Sequence, residues 1–362
     1  MGLPRSRYVK EGEEGVYHCF SRCVRRAFLC GFDNLSGRDF SHRKAWLVER
    51  LRFLASIFAI DVCAFAIMIN HYHVLLRTRP DLVAAWSDWE VARRWLTLFP
   101  RLRKLRGAMA PPLEEEIRAL ADQPGRIAIL RRRLSSVSWF MGRLNEFIAR
   151  AANKEDDVKG RFWESRFKCQ ALLDEAAIVA CMVYVDLNPI RAGVAATPEE
   201  SDFTSIQERI RAWQKEMMTA ASVTAQAAEN TQTEANRFSG LRLPAEAPAL
   251  SSQNASSSWL CPIQSKSAQR GILGMSEAEY IDLVDKSGRL MRLDKQGAID
   301  ADLAPILMRI GVNPDAWQDT VCRFGSKFRL AAGLLSDLRK FAGRIGSCWL
   351  KGATAARVTF AS

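Results

Sequence analysis

The sequence predicts an α+β fold: a ferredoxin-like antiparallel sheet carrying helices, with helical extensions and a small helical C-terminal domain. Three observations predict it. Strand-like and helix-like periods follow one another early in the chain as strand, helix, strand, strand, helix, the order of a strand–helix–strand unit followed by a hairpin. Apolar residues at helical spacing return after residue 276. Between the two lies a stretch without apolar period, residues 219–270, rich in Ala, Ser, Thr, Gln and Asn, which reads as a flexible linker.

Residues 16–21, Val-Tyr-His-Cys-Phe-Ser, read as a first strand because aromatic and β-branched types dominate. A Gly/Asp/Asn loop over 31–39 leads to Ser41, the expected N-cap of a helix whose Leu47, Leu51, Leu54 and Phe58 form one apolar stripe. Residues 61–69 are apolar and predict a buried second strand; Asn70 turns the chain, and His71 to Thr78 make the third. Seating the third strand beside the first brings His18 near His71 and His73. Ser87 or Asp88 caps a helix with Val91, Trp95 and Leu98 on one face. One short helix is expected within 100–123, another from Ser135 to Ala152, and a third from Asp174 to Leu187, stopped by Asn188-Pro189. Thr204 to Met218 reads as an amphipathic helix, and Ser276-x-x-Glu279 as a capping box opening the last unit. The expected division is a core over 10–206, a connecting helix over 207–218, the linker over 219–270 and a helical accessory domain over 271–352.

Charge narrows the partners. The chain carries 52 Lys and Arg against 40 Asp and Glu, a net charge of +12, which favours polyanions, nucleic acid first. The most apolar run, Val62 to Ile69, falls far short of the ~20 residues a membrane-spanning helix needs. Nine dispersed cysteines and an N-terminal segment lacking a signal-peptide core predict free thiols in a reducing, cytoplasmic setting, with no membrane partner. Cys19 and Cys23 have no matching downstream pair and are not read as a zinc site.

The sharpest local pattern is Asn70-His71-Tyr72-His73-Val74-Leu75-Leu76. In a strand, residues i and i+2 share a face, so His71 and His73 project together, about 7 Å apart along the strand. Two neutral imidazoles so placed can hold a divalent metal that polarises a phosphate. The plainer alternative is two half-buried strand histidines. Histidine is scarce, four in all, and two of the four share this pattern.

Several segments together resemble the REP-associated branch of the tyrosine HUH transposases. Tyr17-His18-Cys19-Phe20-Ser21-Arg22 is similar to that family's opening strand, and Met68-Ile69-Asn70-His71-Tyr72-His73 to its M-P-N-H-x-H strand, with Ile69 in place of the proline. Gly160-Arg161-Phe162-Trp163-Glu164-Ser165-Arg166-Phe167-Lys168 is similar to G-x-x-W-x-x-R-[FY]-K, and Tyr184-Val185-Asp186-Leu187-Asn188-Pro189-Ile190-Arg191-Ala192-Gly193 to Y-I-x-x-N-P-V-R-A-G. The likeness covers residues 16 to about 206. It implies an HUH core that cuts and rejoins single-stranded or hairpin DNA. His71 and His73 would hold Mg²⁺ or Mn²⁺, with His18 or Asn153 as third ligand, and a tyrosine would become joined to the DNA 5′ end, conserving the bond energy for strand transfer. Monomers and homodimers both occur in such a family.

The chain departs from this family at the nucleophile. The family's Y-x-R-x-x-N corresponds to Ile148-Ala149-Arg150-Ala151-Ala152-Asn153, so the tyrosine position holds Ile148. Tyr72 should face away from the metal, and Tyr184 reads as a structural helix residue. Arg22, Arg25, Arg26, Arg161, Arg166 and Lys168 are expected DNA contacts, because guanidinium and ammonium groups suit phosphate oxygens. The run Arg131-Arg132-Arg133 carries the same expectation against a solvated helix face. Trp163 would either stack on an unpaired base or anchor its loop to the core. Glu164 is a candidate ligand or base. Two rivals follow: a DNA-binding or regulatory protein without chemistry, favoured by Ile148, and an RNA-binding protein with aromatics on an open sheet face.

Overall fold

Period-two alternation gives the central sheet two chemically different faces, and the site grows from that difference. In the computed structural model, the described residues are 3–24, 29–33, 37–100, 104–105, 108–216, 218, 259–266, 269–291, 307–308 and 312–360. The strands are β1 (Val16–Arg22), β2 (Phe32–Asp33), β3 (Arg38–Asp39), β4 (Ile60–Ile67), β5 (His71–Thr78), β6 (Lys104–Leu105), β7 (Ala108–Met109), β8 (Lys168–Leu172) and β9 (Ala331–Ala332). β2 pairs with β3 and β6 with β7 as small ribbons; the main sheet runs β4-β5-β1-β8-β9.

The expected neighbours, first strand beside third, are antiparallel partners, with Phe20 opposite His73 and Arg22 opposite His71. β8 was not anticipated; it pairs antiparallel with β1 and sets Gln170 opposite His18. β9 runs parallel to β8, so the sheet is mixed rather than wholly antiparallel. The C-terminal segment supplies this edge strand, and its two residues are too few to leave a period in the sequence.

Helices α1 (Arg43–Ile57), α2 (Pro80–Ala85), α3 (Asp88–Leu98), α4 (Glu114–Ala121), α5 (Pro124–Leu134), α6 (Val137–Glu155), α7 (Glu175–Asp186) and α8 (Asn188–Arg191) follow in chain order. The stripe Leu47, Leu51 and Leu54 of α1 is wholly buried, each side chain contributing about 1.5–3 kcal/mol of burial. His42 rather than Ser41 occupies the cap position of α1, without a side-chain cap, and the Ser41 amide donates to Asp39 Oδ1 at 2.8 Å. Ser87 Oγ caps α3 by accepting from the Glu90 amide at 3.1 Å, and Asp174 Oδ1 caps α7 from the Ala177 amide at 2.9 Å. α7 ends with Leu187 as its C-cap, where Asn188-Pro189 is expected to stop it, and Pro189 then sits in the first turn of the short α8, where a missing N–H costs nothing.

Helices cover both faces of the sheet. On one side Tyr72 Oη donates to Asn145 Oδ1 of α6 at 2.6 Å, and α1 packs on α6. On the other, α7 lies against β4 and the helix Pro314–Lys327. It is buried throughout after Glu175, as a helix apolar on all sides must be.

The segment expected as linker reaches into packed structure. Residues 219–258 lie outside the described set, but Leu260, Cys261 and Ile263 are buried, and the Cys261 amide donates to the Val62 carbonyl at 2.8 Å. Arg77 binds Asp61 Oδ2 at 2.6 Å and the carbonyls of Gly271 and Arg270 at 2.6 and 2.7 Å. Beyond it the helices Glu277–Met291, Pro314–Lys327, Leu335–Ile345 and Ala353–Thr359 share the hydrophobic core of residues 16–210. The capping box forms as read: the Ser276 amide donates to Glu279 Oε2 at 2.8 Å and the Glu279 amide to Ser276 Oγ at 3.2 Å. No described helix is long and apolar enough to cross a membrane.

Candidate functional site: a histidine cluster in a basic cleft

Parity on β1 and β5 places His18, Phe20, His71 and His73 on the α7 side of the sheet. The rings of His71 and His73 stand 5.0 Å apart and nearly perpendicular; those of His18 and His73 stack at 5.0 Å. His18 and His73 are buried, at 1% and 5% exposure. Burial holds His18 and His71 down at about 4, with the positive charges of Arg191 and, for His71, Arg22 adding to the effect. Burial also holds His73 well below its ordinary value, with its two imidazole neighbours and Arg191 acting in the same direction. All three rings are therefore neutral at pH 7.

Two amide oxygens assign the protons on those rings. Asn70 Oδ1 lies 2.7 Å from His71 Nδ1, so Nδ1 carries the proton and Nε2 keeps its lone pair. Gln170 Oε1 lies 3.3 Å from His18 Nδ1, so His18 also donates through Nδ1. His18 Nε2 must then accept, and the group facing it is His73 Nδ1 at 2.8 Å. With Nδ1 of His73 donating, its Nε2 is free as well. His71 and His73 thus each present an open nitrogen, each held by a second residue in the way that metal-ligating histidines are usually oriented.

Two imidazoles with open nitrogens, completed by water or phosphate oxygens, are the kind of donor set that could hold a divalent metal. Among the described residues no set of three or more His, Cys, Asp and Glu side chains converges on one point. His18 is engaged as the partner of His73. Asn153 is turned to its own loop, its Nδ2 donating to the Gly160 carbonyl at 3.0 Å, and it lines neither cavity beside the histidines. Glu164 does line the smaller one, with His71 and His73.

Two cavities meet here. The smaller, of about 200 Å³, is bounded by His71, His73, Tyr184 and the cations Arg22, Arg166 and Lys168. The larger, of about 1140 Å³, continues past His18, Phe20 and Tyr184. Arg161 is exposed but lines neither, and Arg25 and Arg26 lie outside the described residues. Arg131 is committed to an ion pair with Asp88 at 2.7 Å, and Arg133 lies 4.5 Å over the ring of Trp139.

Three aromatic or apolar residues fall on definite sides. Trp163 is 9% exposed; its indole N–H donates to the Asn145 carbonyl at 2.9 Å, and its ring meets Tyr72 edge-on at 5.6 Å, which makes it the anchor of its loop. Ile148 is wholly buried in α6, the helix that binds Tyr72. Tyr184 stands on the histidine side, edge-on to His73 at 5.6 Å, with the Arg191 guanidinium 4.2 Å over its ring. Sequence reading passed over Gln170 and treated Tyr184 as structural. The alternation Lys168, Gln170 against Cys169, Ala171 was the available sign of β8.

No family model matches this chain, and no curated protein matches it. Among solved structures it is similar to a REP-associated tyrosine transposase bound to a REP hairpin, at 11% identity over 58% of this chain and 86% of that one, with a TM-score of 0.35.

Proposed function

We propose that this chain binds single-stranded or hairpin DNA and cuts it at a divalent-metal site held by His71 and His73. One observation carries the reading: two imidazoles on one sheet face, each oriented by a partner so that Nε2 is free, open into a cleft lined by Arg22, Arg166 and Lys168. Bound Mg²⁺ or Mn²⁺ would supply Lewis acidity at the scissile phosphate. The cations hold the flanking phosphates. Tyr184 takes the place of nucleophile, since it is the phenol bounding the same cavity. Its oxygen forms a bond to phosphorus as one phosphate ester bond breaks; the phenol proton goes to solvent, and the leaving sugar oxygen gains one.

The test incubates labelled single-stranded hairpin oligonucleotides with the protein and Mg²⁺ or Mn²⁺, resolving products on denaturing protein and sequencing gels. A metal-dependent covalent adduct is expected, absent from His71→Ala and from Tyr184→Phe. Cleavage that persists in Tyr184→Phe without an adduct transfers the role to water. A second reading, a DNA-binding protein without chemistry, is favoured by Ile148 at the family's tyrosine position; tight binding without cleavage across all metals would select it.

A further inference from the structure

The larger cavity is walled in part by the segments that carry the family resemblance and in part by stretches outside them. Arg5 comes from the N-terminal turn, and Arg329 and Lys351 from the C-terminal segment; Arg166 and Lys168 complete its cations. No aspartate or glutamate lines it, although the chain has 40 acidic residues to 52 basic. An even draw from that composition would bring carboxylates almost as often as cations, so the lining is selectively positive.

The cations are also largely uncommitted. Arg166, Arg329 and Lys351 are exposed, and none forms an ion pair among the described residues. Arg5 by contrast is fixed, bonded to the Phe167 carbonyl at 2.7 Å and stacked 3.8 Å over its ring. The floor is aromatic: Phe20, half-buried, lies against His18 and His73 at 5.3 and 5.4 Å, with Lys168 Nζ 5.5 Å above it.

We infer that the C-terminal segment completes a track for one unpaired DNA strand, in which Arg329 and Lys351 hold backbone phosphates opposite Arg166 while Phe20 offers a face to a base. Unpaired strands present both phosphates and bare base faces, and grooves for them combine cations with stacking aromatics. A duplex keeps its bases in its own stack and has no use for Phe20. The inference rests on the reading that the partner is DNA, and it assigns to the C-terminal segment a share in gripping the strand.

Binding is read with the full-length chain by fluorescence anisotropy in EDTA, so that cleavage chemistry plays no part. The probes are a labelled single-stranded DNA, the same strand as RNA, and its duplex, over a salt series. Arg329→Ala with Lys351→Ala should weaken single-strand binding on the order of 10-fold and shallow the log–log salt dependence by about 1.4, two phosphates' worth. Arg329→Lys with Lys351→Arg should restore the slope, which separates charge from folding, and Lys340→Ala, which removes an exposed cation of the same segment that lines neither cavity, should bind as the parent does. An unchanged slope in the alanine pair overturns the track while leaving metal-dependent cleavage standing. Tighter binding of the duplex or of RNA overturns the assignment to unpaired DNA. Loss of cleavage in His71→Ala bears on the proposed metal site, and a shallower salt slope in the alanine pair bears on the track, which tells the two proposals apart.

Discussion

The two faces of β1 and β5 share a backbone and differ in almost everything else. One carries Tyr72, Val74 and Leu76 and lies on the α6 side, where Asn145 accepts from the Tyr72 hydroxyl and donates to that of Ser21. The other carries His18, Phe20, His71 and His73 and opens into a cleft bordered by cations. Adjacent residues in a strand point to opposite sides, so Tyr72, flanked by two candidate metal ligands in sequence, is remote from their chemistry. Tyr184, far along the chain, is beside it. Burial without an exit makes a phenol structural; the same phenol at a cavity wall can act as a reagent.

The largest break in that comparison comes from trying to restore the family tyrosine. Ile148→Tyr puts a larger ring and an unpartnered hydroxyl into a filled core, which should cost about 2–5 kcal/mol by overpacking and desolvation. Denaturant melts should show the loss, and no covalent DNA adduct should be gained; an active, stable variant would mean that α6 meets the histidine face after all.

On the α7 side, Asp186 is wholly buried, accepting from the Ser205 hydroxyl, from the Ile206 amide at 3.0 Å and from Tyr280 Oη at 2.6 Å. Burial pushes its carboxyl up from 3.8 to about 6, against those hydrogen bonds and Arg209. The folded state then holds the proton more tightly than the unfolded one. Its contribution is full below about pH 4 and is lost as pH rises through about 6, at most about 3 kcal/mol. The difference in unfolding free energy between Asp186→Asn and the parent should therefore change between pH 4 and 7; a difference constant with pH would refute the shift.

Gln170→Leu removes the acceptor that assigns the His18 proton. Metal-dependent cleavage should fall about 10- to 100-fold, while single-strand binding in EDTA stays level. Equal losses in both would make Gln170 a general packing residue. Smallest is Tyr72→Phe, expected to cost about 1 kcal/mol of stability through the Asn145 hydrogen bond and nothing in cleavage.

Much of this was legible because periodicity is local. The strand expected over 61–69 runs over Ile60–Ile67; its apolar run, the hairpin at Asn70, the stripe of α1 and the shared face of His71 and His73 are all local patterns. Gln170 was hidden because its strand has five residues and lies next to a basic loop. The placing of Tyr184 depends on which sheet face α7 covers, a tertiary choice that an all-apolar helix does not encode in its own period. The burial of Trp163 was one of two readings, decided by the Asn145 carbonyl that receives its N–H. Residues 259–263 fall within the expected linker since one five-residue apolar run, flanked by Ser and Gln, makes no period, yet they pack against β4 through the Cys261 amide and the ring of Trp259.

The edge strand β9 has a consequence for how the chain folds. Four strands of the sheet are available once residue 172 has been made, but among the described residues the strand laid along the outer rim of β8 is Ala331–Ala332, with Tyr8 Oη donating to the Cys169 carbonyl beside it. Until the C-terminal segment arrives, that rim is an open template for another chain. A pairing so distant in sequence is slow to close, so a truncated or stalled product of this protein would expose an adhesive border that the finished molecule conceals.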